Sequence, residues 1–491
     1  MPEAPRRLYI GLIGPGLVGK EFLRQLHARF PALNSQTSTS TSSFSVELLF
    51  VATSKRVAFV QARADPGASV GFHSDWKTLL NADGVEAELK RVEWKRTRRA
   101  CVVSCNADLS SLPGHLPLRE MRQLVLKNGA EEGPSPAVLV DCSASSSVPE
   151  QVYEEALRLG ISVVTPNKSF AAGPASVYES ALAAAARWVP PPTVAGGPPP
   201  PRPLYLGEAT VGAGLPVLST LRDFLATGDR VKKIEGVFSD SLSFIFNTLF
   251  SSDGDGAAQQ QASPPPLTLA SVVRRAKELG YTEPDPRDDL AGVDVARKAV
   301  ILARALSRGG ERSAGSAAGG GSGSSGAPPP PPCPFPPRLI ELSDVPVRSL
   351  VPPHLSDRSA VDVEAFLRGL ESDDGGVGAE IAKAKLEGKV LRFVGSVTCD
   401  YGDDGDGDGD DGTGGGAVVP VVKAEVALRA FARDHPYAGL SGADNVFSFV
   451  TDRYAEASPL VIRGPGAGAA VTAAGVFGDL LTVARAAGAN V

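Results

Sequence analysis

The chain has 491 residues, 43% of them hydrophobic and 21% charged, with a formal net charge of −6. That length suits two or three domains with sizeable cores, and a mildly acidic chain without a basic face is a poor partner for nucleic acid. No run of about 18 apolar residues stands out, so no membrane span is expected. The cysteines Cys101, Cys105, Cys142, Cys333 and Cys399 lack the spacing of a disulfide framework, and they read as reduced thiols of a cytoplasmic protein. The first apolar run follows closely on Met1, with no signal peptide or presequence before it. A plastid is the alternative location if the start is incomplete.

In chain order, residues 8–13 read as a buried strand, and residues 21–30 have helical spacing. Between them Gly14, Gly16 and Gly19 fit the G-x-G-x-x-G turn of a dinucleotide site. The first glycine makes the tight turn, the second admits a pyrophosphate, and the third lets helix pack on strand. Leu17 and Val18 open the helix, whose free N–H groups and dipole suit phosphate. A second strand, 48–52, runs into Lys55 and Arg56 rather than an acidic residue. Basic groups there suit a ribose 2′-phosphate, which favours NADP, with NAD possible.

Further strands are expected at 138–140 and 161–164, with a helix over 149–159 between them. Strands alternating with helices imply a doubly wound parallel sheet. TPNKSF follows the last strand, where such a sheet presents ligand-facing edges. Lys168 in it reads either as a surface lysine or as one facing the reaction.

A second block, about 204–308, holds strand-like VKKIEGVFS and helix-like SLSFIFNTLF, SVVRRAKELG and LAGVDVARKAVILARAL. Four low-complexity stretches, near 190–203, 251–266, 309–337 and 400–416, read as surface insertions that cannot pack. The Asp/Gly run at 400–416 lacks the spacing of a calcium loop.

Residues 280–298, GYTEPDPRDDLAGVDVARK, crowd five carboxylates and three basic residues into a loop and a helix start. Asp294 and Lys298, four apart, share one helix face. A lysine held by a carboxylate can protonate the alkoxide formed when a carbonyl is reduced, and spare carboxylates suit a substrate ammonium. The segment reads equally as a capped helix with surface ion pairs.

IGPGLVG (13–19), HSDW (73–76), TPNK (165–168), GEATVGAGLPVL (207–218), KIEGVFSDSLSFIFN (233–247), LGYTEPDPRDDLAGVDVARK (279–298), KVLRFVGSV (389–397) and IRGPGAGAAVTAAGVFGDL (462–480) together resemble the fungal-type monofunctional homoserine dehydrogenases. The resemblance implies NAD(P)H-dependent reduction of L-aspartate 4-semialdehyde to L-homoserine by a homodimer. It implies Lys298, Lys168 and Asp294 as catalytic groups, and Glu283, Asp289, Gly280 and Tyr281 at the substrate. At the cofactor it adds Ser143, Lys168 and Gly468 to the glycine turn. Here the strand end reads DCSASS, a departure from the family's NTS-like form. Glu208, Val211, Ala213 and Leu215 match a structural sodium site of one carboxylate and backbone carbonyls.

The implied architecture is a Rossmann-like α/β domain, residues 1–170 with 460–491, and an α+β catalytic and dimerisation domain, 171–459. No aspartate-kinase or regulatory segment is recognised, so threonine control of that form is not expected. The competing readings are a related amino-acid dehydrogenase and an inactive NADP-binding interaction protein.

Overall fold

The computed structural model describes residues 6–34, 44–52, 57–59, 118–119, 121–123, 135–190, 200–251, 267–313, 339–401 and 420–488. These form two compact units, Met1–Gly214 with Gly468–Val491, and Leu215–Ala467.

The first unit contains β1 (Arg6–Ile13), α1 (Leu17–Asn34), β2 (Phe44–Ala52), β3 (Val57–Phe59), β4 (Ala137–Asp141), α2 (Ser147–Arg158), β5 (Ile161–Val164), α3 (Lys168–Ala171), α4 (Ala175–Ala186) and β6 (Tyr205–Leu206). Its sheet has the order β3-β2-β1-β4-β5-β6, parallel except for β3. The chain winds one way from β1 to β2 and the other way to β4, so the carboxyl ends of β1 and β4 flank the topological switch point. Leu8, Tyr9, Ile10, Leu12 and Ile13 are all buried, as expected of a strand covered on both faces. From α1, Phe22, Leu23 and Leu26 enter the same core.

The second unit opens with α5 (Val217–Ala226), β7 (Val231–Val237), α6 (Asp240–Phe250), α7 (Leu269–Glu278), α8 (Arg287–Leu290) and α9 (Val293–Ser313). It continues with α10 (Val363–Ser372), α11 (Val377–Leu386), β8 (Lys389–Asp400), β9 (Val421–Ala432), β10 (Asp444–Thr451) and β11 (Leu460–Pro465). The five strands form an antiparallel sheet, β11-β10-β7-β8-β9. Val295, Ala299, Leu302 and Leu306 of α9 are buried at helical spacing, and the helix packs on β8, β9 and α5. The single helix expected over 290–306 is broken at Gly292, which adopts φ +71° and on which a β-carbon would sit 2.8 Å from the Phe393 ring. A side chain there would be strained and crowded.

The chain then returns to the first unit as α12 (Ala469–Ala486). This helix is long and apolar enough by composition to cross a membrane, which inspection of the sequence missed. Its Ala473, Val476, Leu480, Val483 and Ala484 are buried in one core with Leu8, Ile10 and Phe22, so here it is a core helix.

The unit boundaries fall at 214/215 and 467/468, later than the expected 170/171 and 459/460. Backbone pairing explains both shifts. β6 extends the parallel sheet beside β5 and α4 packs on α2, keeping 171–214 with the first unit. β11 pairs with β10, keeping 460–465 with the second.

Candidate functional site

In the first unit, the glycine turn lies at the end of β1. Gly14 has φ +75°, and a β-carbon on it would sit 2.5 Å from the Ser143 nitrogen. A β-carbon on Gly19 would overlap the Gly14 carbonyl oxygen, whereas one on Gly16 would meet nothing within 4 Å. Gly14 and Gly19 therefore serve packing, and Gly16 keeps the approach to the helix open. The first turn of α1, with exposed Leu17 and half-buried Val18, presents N–H groups that have no intrahelical acceptor. This geometry fits a bound pyrophosphate. Lys55 and Arg56 lie outside the described residues.

Beside the turn, the ends of β4 and β5 are tied together. The fully buried Asp141 carboxylate accepts hydrogen bonds from the Ser143 N–H (2.8 Å) and the Tyr153 hydroxyl (2.7 Å). Thr165 Oγ1 donates to the Asp141 carbonyl at 2.7 Å, and Asn167 Nδ2 to the Ser145 carbonyl at 2.7 Å. Burial pushes the Asp141 carboxyl above its ordinary range, against the hydrogen bonds from Ser143 and Tyr153. Asn167 caps α3, accepting from the Ser169 N–H at 2.9 Å, and half-buried Lys168 is the first residue of that helix. Ser143 and Lys168 thus stand at neighbouring strand ends. Gly468, with φ +117°, is the N-cap of α12. Asp141 and Tyr153 were not singled out from sequence; an aspartate closing an apolar strand was the available signal.

In the second unit, the five carboxylates of residues 280–298 are sorted by partner. Arg287 forks onto Asp285, and Arg358 reaches Asp288 at 2.5 Å. Asp289 Oδ1 instead accepts from Ser241 Oγ at 2.7 Å, and its Oδ2 from the Glu283 N–H at 2.9 Å. Burial pushes the Asp289 carboxyl up, and the charges of Glu283 and Asp294 push the same way. Asp294 Oδ2 lies 2.9 Å from Lys298 Nζ, and the Phe238 carbonyl accepts from that nitrogen at 2.5 Å. The Lys298 side chain is only 7% exposed. Burial alone would lower its pKa, but the carboxylates of Asp294 and Asp240 outweigh it and the net shift is upward. Lys298 is therefore a charged ammonium at neutral pH.

Gly280 and Tyr281, expected at the substrate, are held by local contacts. Gly280 (φ +75°) ends α7 in a Schellman turn: its N–H bonds the Lys277 carbonyl, and the Tyr281 N–H bonds that of Ala276. The Tyr281 ring stacks on Phe244 at 4.3 Å. Ser241, Asp240 and the Phe238 carbonyl were not foreseen as site groups. Ser239, which caps α6 by accepting from the Leu242 N–H, was the legible signal that this helix end is fixed.

In the turn carrying the expected cation ligands, Glu208 is buried and Gly212 (φ +74°) and Ala213 (φ +53°) are both left-handed. Ala213 is the only non-glycine with positive φ among the described residues. The Glu208 N–H bonds Asp479 Oδ2 at 2.8 Å. A buried carboxylate in a strained turn, with Val211 and Ala213 buried beside it, fits oxygen ligation of a hard cation. Leu215 opens the second unit.

Two family models match the chain. One is described as the homoserine dehydrogenase NAD binding domain, over residues 14–189; the other, as homoserine dehydrogenase, matches 216–312 and 338–481. The chain belongs to the homoserine dehydrogenase family. The homoserine dehydrogenase of Emericella nidulans is 38% identical, covering 97% of this chain and 98% of that protein. The one from Paracoccidioides brasiliensis is 34% identical, covering 97% and 98%. A chloroplastic bifunctional aspartokinase/homoserine dehydrogenase of Zea mays is 36% identical over 98% of this chain, which spans only 39% of that relative's length. Among solved structures, a Candida auris protein of unknown function has a TM-score of 0.62 at 28% identity, covering 98% of this chain and 99% of that one. A hyperthermophilic archaeal homoserine dehydrogenase in complex with NADPH has a TM-score of 0.53 at 20% identity, covering 98% of each, and shows the shared fold.

Proposed function

We propose that this homoserine dehydrogenase family member reduces L-aspartate 4-semialdehyde to L-homoserine with NADPH, reversibly, in the aspartate-derived route to threonine, methionine and isoleucine. The observation that carries this is the buried Lys298 side chain, gripped by Asp294 and the Phe238 carbonyl, with the Asp294 charge acting in turn on Asp289.

Reducing an aldehyde requires a hydride at carbon and a proton at oxygen. The nicotinamide supplies the hydride when bound, and the strand ends at Gly14, Ser143 and Lys168 are the groups proposed to hold it. An ammonium has three N–H donors. Two of those on Lys298 are taken by Asp294 and Phe238, and the third is the proton for the forming alkoxide. Glu283 and Asp289 supply the negative charge that a substrate ammonium needs. Lys168 is the rival proton donor.

Lys298→Ala should cut turnover by roughly 10²–10⁴-fold with little change in NADPH affinity. Lys298→Arg should also be poor, because a guanidinium does not readily release its proton. Near-normal turnover in Lys298→Ala would transfer the role to Lys168. If the wild-type protein oxidises L-homoserine no faster than buffer with either cofactor, the whole assignment falls.

Lys55 and Arg56 support NADP over NAD. Replacing both with Ala should raise the KM for NADPH and spare that for NADH; equal effects on both would remove the preference from these residues. The Glu208 turn supports a structural sodium ion. Exchanging sodium for a large organic cation should lower the melting temperature of the wild type more than that of Glu208→Gln. The family resemblance supports a homodimer, which light scattering of the full chain tests.

A further inference from the structure

The helix that brings Ser241 to Asp289 begins with a further carboxylate. Asp240 is the first residue of α6, two positions beyond Phe238, whose carbonyl holds Lys298. A first-turn acid on a helix is ordinarily a solvated partner of the dipole. Asp240 is half-buried, and its Oδ1 accepts a hydrogen bond from Asn445 Nδ2 at 2.7 Å.

Asn445 has little freedom. It is fully buried on β10, and a β-carbon on Gly466 would overlap its amide. Reversing that amide would set oxygen against carboxylate, so the hydrogen-bond network fixes its orientation. The rest of α6 is fastened to the same chain segment. Ser243 Oγ donates to the Asp444 carbonyl at 2.6 Å, and Asn247 Nδ2 to the Gly442 carbonyl at 2.9 Å. Asp240, Ser243 and Asn247 lie on one helix face, so three contacts set where Asp240 points.

We propose that Asp240, held by Asn445, is a positioning residue for Lys298: a second counter-ion that keeps the ammonium charged and seated while its third proton stays available to substrate. The inference rests on Lys298 as proton donor. Asp294, on the lysine's own helix, has a side chain 45% exposed to water, and water screens its charge. Asp240 belongs to α6, and the Phe238 carbonyl lies between the end of β7 and that helix. From α8, Asp289 bonds Ser241, the residue next to Asp240. From β10 come Asn445 and the Phe447 ring, stacked on Phe238 at 4.6 Å. The carboxylates whose charges hold Lys298 up against burial are Asp294 and Asp240.

The test is the pH dependence of aldehyde reduction by full-length wild type, Asp240→Asn, Asp240→Glu, Asn445→Ala and Lys298→Ala, with melting temperatures alongside. In Asp240→Asn the alkaline loss of kcat should set in about 1 pH unit or more below wild type, the scale of one lost counter-ion. The KM for aldehyde should change less than kcat. Asp240→Glu should recover most of the shift, and Asn445→Ala should move the limb the same way by less. An alkaline limb in Asp240→Asn that coincides with wild type, whatever the melting temperature does, overturns the inference and leaves Asp240 as a helix-end acid. If Lys298→Ala is inactive in that case, only the inference fails. If Lys298→Ala turns over normally, the reading of Lys298 fails and the inference with it.

Discussion

Arg287 holds Asp285 through a two-pronged contact, Nε to Oδ1 at 2.9 Å and Nη2 to Oδ2 at 2.8 Å, between Glu283 and Asp289 in sequence. The same guanidinium donates to the Val361 and Leu355 carbonyls and lies over the Phe366 ring. It is buried, so removing it leaves the Asp285 carboxylate with Arg358 at 3.8 Å as its cation. Arg287→Ala should cost about 3–5 kcal/mol of stability. Arg287→Lys should recover little of that, since an ammonium cannot reproduce the fork. Chemical denaturation of both variants checks this; a loss below about 1 kcal/mol would mean the loop is held by other contacts.

Asp289 gives a sign-specific pH effect. Its folded carboxyl binds a proton more tightly than it would in the unfolded chain. Its contribution therefore destabilises the fold as pH rises from the ordinary carboxylate range to the raised value. Asp289→Asn removes that titration. The melting temperature of the variant minus that of wild type should become more positive as pH rises above the ordinary carboxylate range. The KM for aldehyde should rise on the order of 10-fold or more, the scale of a lost charge-assisted bond of about 1.5–3 kcal/mol. A difference that is flat with pH would contradict the first part, and an unchanged KM the second.

The three turn glycines should separate by phenotype. Gly19→Ala drives a methyl into the Gly14 carbonyl and should cost about 1–3 kcal/mol through overpacking. Gly16→Ala meets no protein atom, so its melting temperature should match wild type while the KM for NADPH rises. Gly14→Ala should show both defects, combining positive φ with a clash at Ser143. Should Gly16→Ala bind cofactor normally, the pyrophosphate does not approach there.

Tyr153→Phe deletes one of the donors to the buried Asp141 carboxylate. The expected cost is about 1–3 kcal/mol, growing as pH rises, because the carboxylate's charge is then less well compensated. Melting the variant at two pH values measures it; equal losses at both would mean Asp141 keeps one protonation state over that range.

Legibility in the sequence followed locality. Gly14, Gly16 and Gly19 were readable because turn, strand and helix are contiguous, and Asp294 with Lys298 because helical spacing alone joins them. The buried strands at 138–140 and 161–164 were likewise plain from their apolar runs. The break at Gly292 was hidden because the Phe393 ring that crowds it lies far along the chain. The same holds for Asp240 with Asn445. Which carboxylates of 280–298 are already paired depended on Arg287 and Arg358 holding two of them, and only folding reveals those pairings. The second sheet was mostly unread, since β9 is largely half-exposed and shows no clean apolar run.

The first unit is stitched from both ends of the chain, because α12 fills the core beneath β1. During synthesis the glycine turn emerges before the whole of Leu215–Ala467 and waits for α12 before its core can be completed. The second unit is one uninterrupted segment, Leu215–Ala467, and is fully extruded before that happens. Synthesis thus completes the half bearing Lys298 before the half bearing Gly14. A chain released before α12 keeps the segment bearing Lys298 but lacks part of the core beside its glycine turn.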